Sequence, residues 1–133
     1  MANEDQVALL KRGTAAWNAW RAEHPDAVPD LSGAALRGLD LAGAHLAGAL
    51  LPGADLRGTV LRGADLAGAK LDGANLFKAV LEAADLSGAD LRAVRFLHCA
   101  QLVTARNWES AGRDADLACG APVPGGGGQE AEP

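Results

Sequence analysis

The sequence predicts a mainly β fold: a solenoid whose coils are squares with five-residue sides, closed by a helix at each end. Three observations predict it. Fourteen residues, thirteen leucines and one phenylalanine, recur at every fifth position from Leu31 to Phe96. Alanine stands two residues before most of them, and glycine two residues after, unbroken from Gly33 to Gly73 and again at Gly88. The tryptophans, Trp17, Trp20 and Trp108, all lie outside the repeat.

A fixed short repeat decides an architecture, and a period of five removes the ordinary elements. At ~3.6 residues per turn, five residues carry a helix about 140° past a full turn, so the leucines would spray around the cylinder. A strand alternates faces, so an odd spacing would throw successive leucines to opposite sides. Collagen needs glycine at every third residue and a coiled coil needs a spacing of ~3.5. A chain that turns a corner every five residues avoids these conflicts. Four sides make one coil, and residues twenty apart stack. The predicted interior is Leu31, Leu36, Leu41, Leu46, Leu51, Leu56, Leu61, Leu66, Leu71, Leu76, Leu81, Leu86, Leu91 and Phe96. The alanines also face inward, where little room remains, and glycine sits near the corner, where an unusual backbone angle is easiest.

Runs such as Ala54-Asp55-Leu56-Arg57-Gly58, Ala64-Asp65-Leu66-Ala67-Gly68 and Ala84-Asp85-Leu86-Ser87-Gly88 resemble the pentapeptide-repeat proteins. The resemblance covers residues 29–98 and implies a right-handed quadrilateral β-helix of about 3.5 coils. It also likens Trp17-Asn18-Ala19-Trp20-Arg21 to a helical lead-in, and Ala105-Arg106-Asn107-Trp108-Glu109 to a matching C-terminal helix.

In chain order, residues 1–28 read as an N-terminal capping helix and linker. A helix is expected over 3–24: Asn3 and Gln6 suggest a capping box, Glu4 and Asp5 suit the positive helix end, and Pro25 stops it. The β-helix occupies 29–98 and a C-terminal cap 99–111, with a short helix over 100–111 carrying Leu102, Ala105 and Trp108. Residues 112–133 lose all pattern and read as a flexible tail, ending in Gly125 to Gly128 and an acidic terminus. A solenoid exposes an apolar cross-section at each end, so Trp17, Trp20 and Trp108 read as cap packing.

Composition bounds the function. The net charge of −5 argues against direct nucleic-acid binding. The longest uncharged stretch, 41–54, is shorter than the ~20 residues of a membrane span. The acidic N-terminal residues do not resemble a secretion signal, and Cys99 and Cys119, which admit one disulfide, read first as reduced thiols, so a cytoplasmic location is expected. No cofactor is expected. His24, His45 and His98 lack metal-ligand spacing, and the adjacent His98 and Cys99 lack the third group that Cys–His catalysis needs. The acids one place before the leucine (Asp30, Asp40, Asp55, Asp65, Asp85, Asp90, with Asn75 in the same slot) read as a solvated face bonding to the corner backbone. No catalytic residue is assigned, and an enzyme is not expected.

Surface columns carry the functional expectation. Arg37, Arg57, Phe77 and Leu97 should stack outward, with Ala35, Asp55, Asn75 and Arg95 beside them. Arg57, Asn75, Phe77, Arg95 and Leu97 are therefore the candidate partner-binding residues, an apolar patch rimmed by arginine. The competing expectation covers Leu97 with the C-terminal helix and Phe77 with Arg57 as a cation–π pair. The function expected is a non-catalytic protein–protein interaction or scaffold module. The pattern also admits a homodimer through a solenoid end. The alternative comes from the resemblance: some pentapeptide-repeat proteins are DNA mimics that inhibit or protect DNA gyrase or topoisomerase IV. A mimic needs a long acidic surface. Residues 29–98 carry eight acids and seven bases, on a stack only ~17 Å tall at strand spacing, about half a DNA turn.

Overall fold

A tight turn at every fifth residue is the unit of the fold. In the computed structural model, which describes residues 2–124, each interior leucine carbonyl accepts a hydrogen bond from the amide three residues on, as in Ala34 to Leu31 and Ala64 to Leu61, both 3.0 Å. The third residue of such a turn takes a left-handed φ, which glycine adopts freely. Gly58 does so at +66°. Lys78, Ala83 and Ala93 occupy the same slot with φ of 58–61° despite their side chains.

Between turns each side of the square pairs with the coil above and below through one residue. Ten parallel bridges link residues twenty apart, from Asp30↔Leu50 to Asn75↔Arg95. The β character is therefore finer-grained than expected: isolated bridges rather than longer strands among the described residues, because the corner leaves one fully extended residue per side. The first wall holds 30–34, 50–54, 70–74 and 90–94, and the second, third and fourth walls follow at steps of five.

The interior is built of two slots. Leu31 through Leu91 are at most 3 % exposed, and the alanines two places earlier are buried with them. Burying one leucine contributes about 1.5–3 kcal/mol. Thr59 replaces one alanine, and its hydroxyl donates to the Leu36 carbonyl at 2.8 Å, so no polar atom is stranded.

The period breaks at Phe96. The expected fourteenth interior residue is instead 58 % exposed, with φ +62°. Leu97, expected outside, is 8 % exposed and joins the core. One residue has been inserted, in the manner of a bulge. Leu76 is followed in the stack by Leu97, and the next bridge, Asp85↔Arg106, spans twenty-one residues instead of twenty. A second insertion follows, since Asp90↔Gly112 spans twenty-two. An interior sized for leucine and alanine is a poor fit for a phenyl ring, and the slip presents Leu97 in its place.

Both ends differ from expectation in their helices. The single helix of 3–24 is two: α1 (Glu4–Lys11) and α2 (Thr14–Glu23), parted at Gly13 with φ +121°. The Asn3 side chain caps α1 by accepting from the Gln6 amide at 3.1 Å. The Gln6 side chain does not return to Asn3, however, but accepts from Asp30 N–H at 2.8 Å. Leu10 and Trp17 are fully buried against the first coil. The Trp17 indole N–H donates to His45 O, the Asn18 side chain accepts from His45 N–H, and Arg21 donates to Ala47 O, each at 2.8 Å. These bonds satisfy open backbone edges at that end of the stack.

The C-terminal helix of 100–111 reduces to α3 (Cys99–Leu102) and a 3-10 turn at Trp108–Ser110. Arg106 and Gly112 between and after them extend the coil, bonding to Ala84, Leu86, Ala89 and Leu91. Residues 112–122, expected as tail, are anchored at Arg113 and Leu117, which are buried. Cys99 and Cys119, expected as thiols, form a disulfide. The Arg113 side chain is 3 % exposed and donates to the carbonyls of Glu109, Ala111, Leu117, Ala118 and Pro122. It also lies 5.0 Å from the Trp108 ring centre. Burial pulls its pKa down from the usual value. The expected glycine-rich acidic terminus lies outside the described residues.

Candidate functional site

The sequence-predicted contact surface lies on the second wall, where the stacking period brings Arg57, Asn75 and Phe77 together. With Phe96 they line a shallow depression of about 260 Å³. Phe77 is 45 % exposed, and its ring meets Phe96 edge-to-face, centroids 6.0 Å apart and planes at 77°. The left-handed φ at Phe96 carries its ring to the outside, so the irregularity that ends the repeat also completes the aromatic pair.

The other predicted members divide. Asn75 is buried, and its Oδ1 accepts from Phe77 N–H at 3.1 Å, so it shapes the turn more than it meets solvent. Arg95 is exposed and pairs to Asn75 through the backbone bridge. Leu97 is removed from the surface by the register slip. The cation beside Phe77 is Lys78, 5.4 Å from the ring centre, not Arg57. Arg57 instead grips Asp55 with two hydrogen bonds of 2.8 and 2.7 Å. The Arg57 side chain holds the Asp55 carboxyl ionised, with its pKa down to about 2.

The same carboxylate device recurs around the square. Oδ1 of Asp30, Asp40, Asp55, Asp65, Asp85 and Asp90 each accepts from the backbone N–H two residues on. Asp85 also accepts from the Ser87 hydroxyl and the Asn107 amide, and these bonds lower its pKa to about 2. Asp90 is lowered chiefly by Arg92. These acids brace corners. Among the described residues no three His, Cys, Asp or Glu cluster as metal ligands, and no helix is long and apolar enough to cross a membrane.

Sequence reasoning missed the outward Phe96 and the buried Arg113, and ranked the disulfide below free thiols. One signal was present: Cys99 and Cys119 are twenty residues apart, the length of one coil. Nothing in the pattern flags Arg113.

A family model described as pentapeptide repeats matches in eight copies, over residues 30–66, 40–76 and 61–96. Among solved structures the chain is similar to a pentapeptide repeat protein of the Arabidopsis thaliana thylakoid lumen: 27 % identity over 64 % of this chain and 63 % of that one, TM-score 0.43. It is also similar to the pentapeptide repeat protein Rfr23 of the cyanobacterium Cyanothece 51142: 34 % identity over 65 % and 58 %, TM-score 0.41. The chain thus spans less than two thirds of the length of either. No curated protein matches it.

Proposed function

This chain belongs to the pentapeptide-repeat family, whose members are generally non-catalytic right-handed β-helices, and from that premise we propose that it is a protein-interaction module that meets its partner through the second wall. The observation that carries this reading is the exposed edge-to-face pair of Phe77 and Phe96 beside Lys78 and Arg57. Solvent-facing aromatics rimmed by cations are the composition of an interface hot spot. Leu10 and Trp17 at one end, and Leu102 and Leu117 at the other, cover the stack's cross-section, which supports contact through a wall rather than a homodimer through an end.

Mimicry of DNA against gyrase or topoisomerase IV is the weaker reading. Three of the carboxylates it would use are paired to arginine: Asp55 with Arg57, Glu82 with Arg62 and Asp90 with Arg92. The Cys99–Cys119 geometry fits a bridge, and such a bridge favours an oxidising compartment over the cytoplasmic one expected from the sequence. Acid-trapped thiol alkylation of the protein from cells reads this out directly.

The functional test is Phe77→Asp. The variant should melt like the wild type and lose partner affinity by more than ~1 kcal/mol. Potent inhibition of gyrase supercoiling, persisting in Phe77→Asp and lost on neutralising Asp55, Asp65 and Asp85, would reverse the reading in favour of mimicry.

A further inference from the structure

Charge is unevenly distributed around the square. Over residues 30–98 the acids outnumber the bases by one, which looks neutral. Sorted by wall, the second carries Arg37, Arg57, Lys78 and Arg95 against Asp55 alone, a net +3. The first, third and fourth walls carry −1, −1 and −2 over the same residues. The basic wall is also the aromatic one.

Three of its cations, Arg37, Lys78 and Arg95, have no carboxylate partner among the described residues, and Asp55 is already held by Arg57. All three are exposed, as are Phe77 and Phe96, so neither cap covers this outer surface. From Arg37 to Phe96 the column climbs three coil steps, about 14 Å, the span of four or five extended residues.

We propose that the second wall is the docking surface for an acidic peptide segment, its carboxylates pairing with Arg37, Lys78 and Arg95 and an apolar side chain seated against Phe77 and Phe96. This deepens the interaction-module reading and rests on it. Charge complementarity selects the occupant. A nucleic-acid strand fits less well for three reasons. Asp55 stands within the column and would face a phosphate run. The two rings meet edge-to-face instead of offering parallel platforms on which bases stack. The chain as a whole, at −5, repels a polyanion.

The test uses the full chain with its disulfide intact and a fluorescein-labelled peptide alternating glutamate with leucine and phenylalanine. Controls are its glutamine-for-glutamate counterpart and a labelled oligothymidylate. Fluorescence anisotropy should show binding of the glutamate peptide that weakens as NaCl rises from about 50 to about 300 mM. The glutamine peptide and the Arg37→Gln/Arg95→Gln double variant should each lose at least about fivefold in affinity. Both arginines are exposed, so the variant should melt like the wild type. Amide shifts in an NMR titration should concentrate on the second wall.

Equal binding of both peptides, shifts on another wall, or no binding of the glutamate peptide would overturn the proposal. Tighter binding of the oligothymidylate would replace it with a nucleic-acid surface. Loss of a natural partner in Phe77→Asp, with no effect of Arg37→Gln/Arg95→Gln on that partner, would sink the acidic peptide while leaving the interaction module standing.

Discussion

The repeat body and the C-terminal end hold themselves together by opposite means. In residues 30–95 a residue's position in the five-residue period decides its place: leucine and alanine inside, carboxylate bracing the corner, glycine turning it. From Phe96 onward position decides nothing. Two inserted residues shift the register, one arginine gathers five carbonyls, and one disulfide joins residues a coil apart. The body distributes its stability over many equivalent leucines, whereas the end concentrates it in a few groups that have no substitute.

The largest effect should come from breaking the body. Leu61→Asp places a carboxylate in a stack that leaves Leu61 1 % exposed, with no partner for the charge. The cost of several kcal/mol rivals the entire marginal stability of a small domain. Circular dichroism should show no cooperative melt. A wild-type melting temperature would mean that Leu61 does not face inward.

Breaking the end should be local. Arg113→Met removes five hydrogen bonds and leaves the Ala111 and Leu117 carbonyls facing an apolar side chain of similar length, while Ala118 O keeps the Ala121 N–H; it should cost about 2–4 kcal/mol. Hydrogen exchange should accelerate at Ala111, Gly112, Leu117 and Ala118 and stay slow at the amides of Leu51 and Leu56. If protection fell equally everywhere, body and end would be one cooperative unit and the contrast between them would fail.

Legibility follows the same division. The square coil, its interior leucines up to Leu91 and the outward Phe77 were legible because each is repeated, and repetition averages out local exceptions. Phe96 was misassigned because extrapolating a period assumes that it continues; the sizes of Phe96 and Leu97 carried the contrary signal. The break of the first helix at Gly13 was visible in glycine's low helix propensity and lost to the apolar spacing around it. Arg113 was unreadable. A buried guanidinium is defined by carbonyls from five other residues, and no spacing in the sequence announces that convergence.

Acid should separate the regions next. Asp55 in the body and Asp85, which bonds across to Asn107 of the end, both titrate near 2 when folded against about 3.9 unfolded. A depressed folded pKa gives stability that is present above the unfolded value and lost as pH falls through the folded one. The melting temperature should therefore hold at neutral pH and decline between about pH 4 and pH 2. Solvent screening keeps each contribution below about 1 kcal/mol. Asp85→Asn should flatten the decline. A profile identical to the wild type's would remove Asp85 as the link between body and end.

The smallest effect concerns the corners themselves, where the two regions begin to diverge. Gly58 turns its corner at φ +66°, and a Cβ added there would meet no atom within 4 Å. Any loss in Gly58→Ala is therefore conformational and should be about 1 kcal/mol. Ala83 and Ala93 turn two of the last three corners before the period fails, at +60° and +61°, and carry that strain already. Ala83→Gly and Ala93→Gly should each stabilise by about 0.5–1 kcal/mol, the relief of the left-handed strain exceeding the added freedom of the unfolded chain. Urea titrations at matched slope read both signs. The end holds both corners: Ala83 N–H donates to Thr104 O at 2.9 Å and Ala93 N–H to Asp114 Oδ2 at 2.8 Å. Both bonds survive in the glycine variants, so the two gains should be alike, and a loss of stability at either position would mean that its corner carries no left-handed strain.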